Sequence, residues 1–242
     1  MTGMLASVTS VDEARLAVEG GADVIDLKDP ARGALGALEA SIAREIVTAF
    51  AGKRSLSATV GDFPSMDAGE VLAAAKHTAD LGVDFVKVGF FGTPRDVECM
   101  RALESLTSET RLIAVQFADL APDLDLCERL VEVRFAGVML DTARKEGQGL
   151  RGLLSQSQLS RFVRRAQALG LITGLAGKLR LADIAPLLDL QPDYLGFRGA
   201  LCTQHQRSAG LDVQALRAVR VAIPLRVSSL LRRPRVSAGQ LR

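Results

Sequence analysis

The sequence predicts a single α/β domain, a closed (β/α)8 TIM barrel over residues 1–221, followed by a short Arg-rich tail over 222–242. Three observations carry that expectation. Eight short β-rich runs alternate strictly with eight amphipathic helical stretches. Most of the strand runs are apolar throughout, as parallel strands covered on both faces must be. No linker or shift in composition divides the chain before about residue 222, so its 48% apolar and 24% charged residues serve one core.

The first strand is Met4–Val8, and Ser10-Val11-Asp12-Glu13 then opens a helix as a capping box, in which hydroxyl and carboxylate each satisfy an orphan amide. Val24–Leu27 is the second strand, with a helix near 39–50. The third, Ser55–Val60, leads through Ser65 as N-cap to a helix over 66–81, closed by Gly82. Phe85–Val88 is followed by Thr93-Pro94, an N-cap and a Pro at the first helical position. Arg111–Phe117 precedes Asp123 and a helix over 124–134. After Gly137–Leu140 comes Gly147-Gln148-Gly149-Leu150-Arg151-Gly152. It matches GxGxxG in form but follows no strand, so it reads as a mobile loop and not as a dinucleotide fingerprint. Ser155 or Ser157 caps a helix reaching about Ala168, closed by Gly170. Leu171–Leu175, a helix over 181–188, Tyr194–Phe197 and a helix over 213–221 complete the set. Gly21-Ala22-Asp23, Gly82-Val83-Asp84 and Gln191-Pro192-Asp193 each lead into a strand, which points to equivalent helix-to-strand turns.

Composition excludes several classes. No apolar run approaches the ~20 residues of a membrane helix, and Met1-Thr2-Gly3-Met4 has neither the charge nor the apolar stretch of a secretory signal. Cys99, Cys127 and Cys202 are odd in number and in no CxxC spacing, which suits reduced thiols and a cytoplasmic setting. With no Trp and one Tyr, the chain lacks the stacking platform of a single-strand nucleic-acid binder. Residues 213–242 hold seven Arg and no acid, so against a net charge of +2 the first 212 residues carry −5. A solvated tail, an oligomer contact or an acidic partner would each fit that end.

Only six of the 30 basic residues are lysines, and four of them (28, 87, 145 and 178) fall at or just past strand C-termini, where such barrels place their sites. Asp26 and Lys28 are two apart on one strand and share a face, with Ile25 and Leu27 on the other. The pair is a satisfied buried ion pair or a functional one, and a charged core position favours use. Lys87, between Val86 and Val88, points to the same mouth or snorkels outward. Clustered cations favour a neutral lysine, which can attack a carbonyl or take a proton. Asp141 and Lys145 form either an i,i+4 pair or part of the site. Gly174, Gly177 and Lys178, with Gly196, Arg198 and Gly199, follow the last two strands, where backbone amides can cradle a phosphate; tight turns are the plainer account. His77 and His205 have no metal-ligand spacing, although a Mg²⁺ site from Asp26, Asp29 and Asp141 stays open. No GxSxG elbow supports a Ser/His/Asp triad.

At Asp26-Leu27-Lys28-Asp29-Pro30 with Gly33-Ala34-Leu35-Gly36 the chain resembles the (5-formylfuran-3-yl)methyl phosphate synthase family. Thr59-Val60-Gly61-Asp62, Val86-Lys87-Val88-Gly89, Asp141-Thr142-Ala143-Arg144-Lys145 and Gly174-Leu175-Ala176-Gly177-Lys178 extend the resemblance over about residues 4–221. The resemblance implies a lysine-dependent barrel enzyme of methanofuran biosynthesis that condenses two glyceraldehyde 3-phosphate molecules with loss of phosphate and water. It implies Lys28 as the Schiff-base lysine and Lys87 as the proton acceptor, with Asp26, Asp141 and Lys145 at further functional positions. Neither a cofactor nor a metal is expected, nor a nucleic-acid or membrane partner, and a homo-oligomer is the expected assembly. A phosphate-binding barrel decarboxylase or isomerase using Asp26 and Lys28 without an imine is the competing enzyme class. A binding module that meets an acidic partner through its Arg tail is the competing non-enzyme.

Overall fold

Eight parallel strands close on one another in chain order in the computed structural model, which describes residues 1–123, 125–144 and 146–224. They are β1 (Gly3–Val8), β2 (Val24–Leu27), β3 (Ser55–Thr59), β4 (Phe85–Phe90), β5 (Leu112–Phe117), β6 (Gly137–Asp141), β7 (Ile172–Leu175) and β8 (Tyr194–Phe197). Helices α1 (Val11–Glu19), α2 (Ala40–Phe50), α3 (Ala68–Ala79), α4 (Asp96–Leu103) and α5 (Cys127–Glu132) follow the first five strands in turn. After β6 come α6 (Leu150–Leu153) and α7 (Gln156–Ala168), and α8 (Leu181–Leu188) and α9 (Val213–Ala222) follow β7 and β8. This is the expected (β/α)8 barrel. The tail expected from 222 lies outside the described residues from 225 onward.

The repeated lead-ins explain how strands are brought into register. Gly21, Gly82 and Gln191 adopt the left-handed backbone that ends a helix, at φ of 81°, 86° and 55°. Two residues on, an Asp carboxylate accepts from the amide of the second residue of the preceding strand. Asp23 takes Met4 N at 2.7 Å, Asp84 takes Leu56 N at 2.8 Å, and Asp193 takes Thr173 N at 2.9 Å. Each clasp satisfies an amide at the barrel floor that the ladder leaves open.

Strand alternation divides the core in two. The outward residues pack with the helices into one large cluster that includes Ile25, Leu27, Val86, Val88, Phe162 and Leu195. The inward residues form a separate interior of Phe85, Ile113, Val115, Phe117 and Met139. Inward Gly174 and Gly196 leave the width that Met139 fills, for a Cβ at either would lie 2.9 Å from its side chain.

Several helix starts differ from expectation. Ser65 is not the cap of α3; Met66 turns left-handed at φ 47° and Asp67 accepts from Gly69 N and Glu70 N instead. Thr93 does not cap α4, which begins at Asp96, whose carboxylate reaches back to Gly92 N and Thr93 Oγ1. Asp123 accepts from Asp125 N, four residues before the start of α5 at Cys127. Of Ser155 and Ser157, Ser155 caps α7 and forms a capping box with Gln158. The GxGxxG stretch, expected as a loop, contains α6, anchored by Leu150 N to Gly177 O at 2.9 Å.

Candidate active site

The strand register carries four charged side chains to one end of the barrel. Ser7, Asp26 and Ser57 are direct partners across β1, β2 and β3, so all three point inward at one level. Thr59 stands beside Lys87, and Phe117 beside Asp141, at the level above. Lys28 continues β2 by one inward step. Ser7, Asp26, Lys28, Lys87 and Asp141 line a cavity of about 780 Å³ at the C-terminal mouth, with Gly177, Lys178, Gly196, Arg198 and Gly199 on its far wall.

The charges pair in crossed fashion. Asp26 and Lys28 share a face as expected, yet they do not bond each other. Lys87 Nζ donates to Asp26 Oδ1 at 2.9 Å, and Lys28 Nζ donates to Asp141 Oδ2 at 3.2 Å. Asp26 is wholly buried, and Ser57 Oγ (2.6 Å) and Ser7 Oγ (2.9 Å) also donate to it. Burial favours the neutral acid, but the charges of Lys87 and Lys28 and the Ser57 hydroxyl outweigh it, so the Asp26 carboxyl lies below its ordinary range. Lys87 does not snorkel outward: at 3% exposure it is an interior cation held by an interior anion.

Asp141 is oriented by its own loop, since Thr142 N donates to Oδ1 at 2.7 Å. That loop is in turn fixed by Asp119, which accepts from Ala143 N and Arg144 N. Gly177, at φ 101°, passes so close that a Cβ there would lie 2.8 Å from Thr142 Cγ2. Lys178 Nζ donates to the carbonyls of Glu146 and Gly147. Lys145, the remaining sequence candidate, lies outside the described residues.

Arg198, expected as a phosphate ligand, lines the cavity with its guanidinium bonded to the protein. Nε donates to Arg207 O, Nη1 to Ser7 O and Glu13, and Nη2 to Glu13 and Ala209 O. All five guanidinium N–H groups are thereby used by the protein. Arg198 braces the segment after β8 against β1 and α1. Against the pull of burial, it holds the Glu13 carboxyl below its ordinary range.

Ser7, Ser57, Asp119 and Asp62 were not singled out in the sequence as site residues. Asp62 accepts from Ala34 N (2.7 Å) and Leu35 N (2.8 Å), and so shapes the loop that follows Lys28. The inward alternation of β1 and β3 could have indicated the two serines. The contacts of Asp62 and Asp119 span up to 28 and 25 residues and leave no local pattern.

The family model for 4-HFC-P synthase matches residues 4–220. A (5-formylfuran-3-yl)methyl phosphate synthase of Methanopyrus kandleri is 39% identical over 86% of this chain and 92% of its own length. A Methylorubrum extorquens protein provisionally named for the same synthase is 41% identical, over 90% of this chain and 91% of that one. Among solved structures, 3-hexulose-6-phosphate synthase superposes with a TM-score of 0.62 at 20% identity, covering 92% of this chain and 100% of that one. Phosphoribosyl anthranilate isomerase from Thermus thermophilus gives a TM-score of 0.63 at 16% identity, covering 92% and 98%. The structural likenesses show the barrel alone. The match over the whole barrel and the sequence relatives show more: the chain belongs to the 4-HFC-P synthase family.

Proposed function

We propose that the chain condenses two molecules of glyceraldehyde 3-phosphate into (5-formylfuran-3-yl)methyl phosphate through a Schiff base on Lys28, for methanofuran or a related carrier. The observation that supports this best is the pair of lysines at one barrel mouth, each seated on its own carboxylate, in a chain of this synthase family. Two C3H7O6P balance against one C6H7O6P, one H3PO4 and two waters, so the conversion is redox-neutral and the scheme calls on no cofactor or metal.

In this reading Lys28 gives its proton toward Asp141 and adds to the aldehyde carbon, and loss of water from the carbinolamine forms the imine. The imine draws electrons from the neighbouring carbon, whose proton Lys87 accepts once its own has passed to the Asp26 carboxylate. Asp26, fixed by two serine hydroxyls and 2.9 Å from Lys87 Nζ, holds that amine and shares its proton. The resulting enamine bonds to the second triose, phosphate leaves one of the two, and dehydration closes the furan. One phosphate stays in the product. Gly177, Lys178, Gly196 and Gly199 at the ends of β7 and β8 are proposed to hold it. The proposal extends to Lys145 as a further cation, to a barrel domain ending near 221, and to a cytoplasmic homo-oligomer.

Borohydride added with glyceraldehyde 3-phosphate should leave a reduced triose adduct on Lys28, read by mass spectrometry. Without borohydride, phosphate release should accompany furan absorbance. Lys28→Arg should lose both adduct and product, because a guanidinium cannot form the imine; Lys87→Arg should keep the adduct and lose the product. A wild type that turns over without an adduct would leave Asp26 and Lys28 as an acid–base pair only. A wild type silent in both assays would end the synthase reading.

A further inference from the structure

The fold treats two arginines beyond β8 in opposite ways. Every guanidinium N–H of Arg198 has a protein acceptor, among them the Glu13 carboxylate. Arg207 has one bond, a long one of 3.3 Å from Nη2 to Gly33 O, and its Nε is buried without a partner. Among the described residues no carboxylate lies within ion-pair distance of it. Yet its backbone is fixed, since Arg207 O takes the Arg198 Nε–H at 2.9 Å. The side chain lines the same cavity as Lys28 and Lys87 and spans from the segment after β8 to the loop after β2.

A half-buried guanidinium with an orphan donor has lost water without gaining an acceptor, which a fold retains only at a cost. A phosphate monoester supplies what is missing, two or more anionic oxygens in a geometry the planar fork can meet. Lys178, on the β7 side of the same wall, also bonds only to backbone carbonyls among the described residues. By contrast, Lys28 and Lys87 are each neutralised by a carboxylate. Among the described residues the cavity wall therefore offers uncompensated cations on different loops, Lys178 and Arg180 after β7 and Arg207 after β8, and the proposed reaction brings two phosphates.

We propose that Arg207 binds the phosphate of the second triose, completing a two-phosphate cavity whose other half is the wall formed by the β7 and β8 loop ends. This rests on the two-triose reading above, and its test is separable from it. Glycerol 3-phosphate has no carbonyl and cannot form an imine. Titrated calorimetrically, it should bind the wild type at two sites, and Arg207→Gln should weaken one of them at least ten-fold with an unchanged melting temperature. Arg207→Lys, which keeps the charge and loses the orphan Nε, should retain both sites with one weaker, and serves if the Gln variant fails to fold. A single site in the wild type would overturn the proposal, as would variants with the wild-type isotherm. If two-site binding stands while borohydride traps nothing on Lys28, the imine chemistry falls and the Arg207 site remains.

Discussion

At the scale of single residues, the buried Asp26–Lys87 pair is the most consequential contact in the mouth. Asp26 receives two hydroxyl donors and one ammonium. Asp26→Asn would turn an acceptor-only group into one that also donates, against neighbours that donate already, and would leave Lys87 buried without a counter-charge. Loss of one partner in such a pair costs about 3–5 kcal/mol, to be read as a lowered denaturation midpoint with intact far-ultraviolet dichroism. The pH dependence follows from sign. Asp26 and Glu13 both titrate lower in the folded chain than their ordinary values of 3.8 and 4.5. The unfolded chain takes up their protons first as the medium is acidified, so their stabilisation is complete above about pH 4.5 and is lost as pH falls through the lower folded values. Denaturant titrations between pH 6 and 3 should show this decline in the wild type and a shallower one in Asp26→Asn. Asp26 and Lys87 were legible because each breaks an apolar strand at an inward-facing step, and Lys28 and Asp141 because they stand at strand C-termini. Their partners were not: pairing Lys87 with Asp26, and Lys28 with Asp141, depends on the stagger between neighbouring strands and on loop geometry, which no single strand encodes.

At the scale of elements, the strands read clearly because both faces of each are covered, while the helix starts blurred wherever several capping residues stand close together. Ser65 and Asp67 are both chemically able to cap α3, and the left-handed turn at Met66 gives the role to Asp67. Long-range clasps are the opposite case, silent in sequence and firm in structure. The loop carrying Gly33 to Gly36 depends on one, the Asp62 carboxylate, and Gly33 is required there, since a Cβ at φ 120° would lie 2.0 Å from Asp62 Oδ2. Asp62→Ala would strand two amides, at about 1–3 kcal/mol each if they stay dry. Because that loop begins immediately after Lys28, the variant should lose turnover more steeply than it loses global stability. Steady-state kinetics set beside thermal melts make the comparison; parallel losses would show that the clasp serves folding alone.

At the scale of the whole molecule, the barrel closes where its ends meet. Thr2 Oγ1 donates to Pro192 O, Gly3 N donates to Asp193 O, and Arg198 ties Glu13 to the segment after β8. In the layer packed outside that closed wall all three cysteines are buried, and burial above all pushes the Cys99 and Cys127 thiols up to about 11. Few thiolates exist at neutral pH, so native protein should react with iodoacetamide far more slowly than protein in guanidinium, as timed labelling and mass spectrometry would show. Met139 has a different global effect. Its side chain borders both the reaction cavity and a small apolar void of about 30 Å³ nearer the barrel floor. It is thus a removable plug, and its length sets how deep the vessel is. Met139→Ala should merge the two spaces, lowering stability by about 2–5 kcal/mol and favouring a four-carbon aldose phosphate over the proposed triose substrate by roughly ten-fold in relative kcat/KM. Chain-length selection would then reside in one flexible thioether between two glycines, apart from the lysines that are proposed to make the bonds.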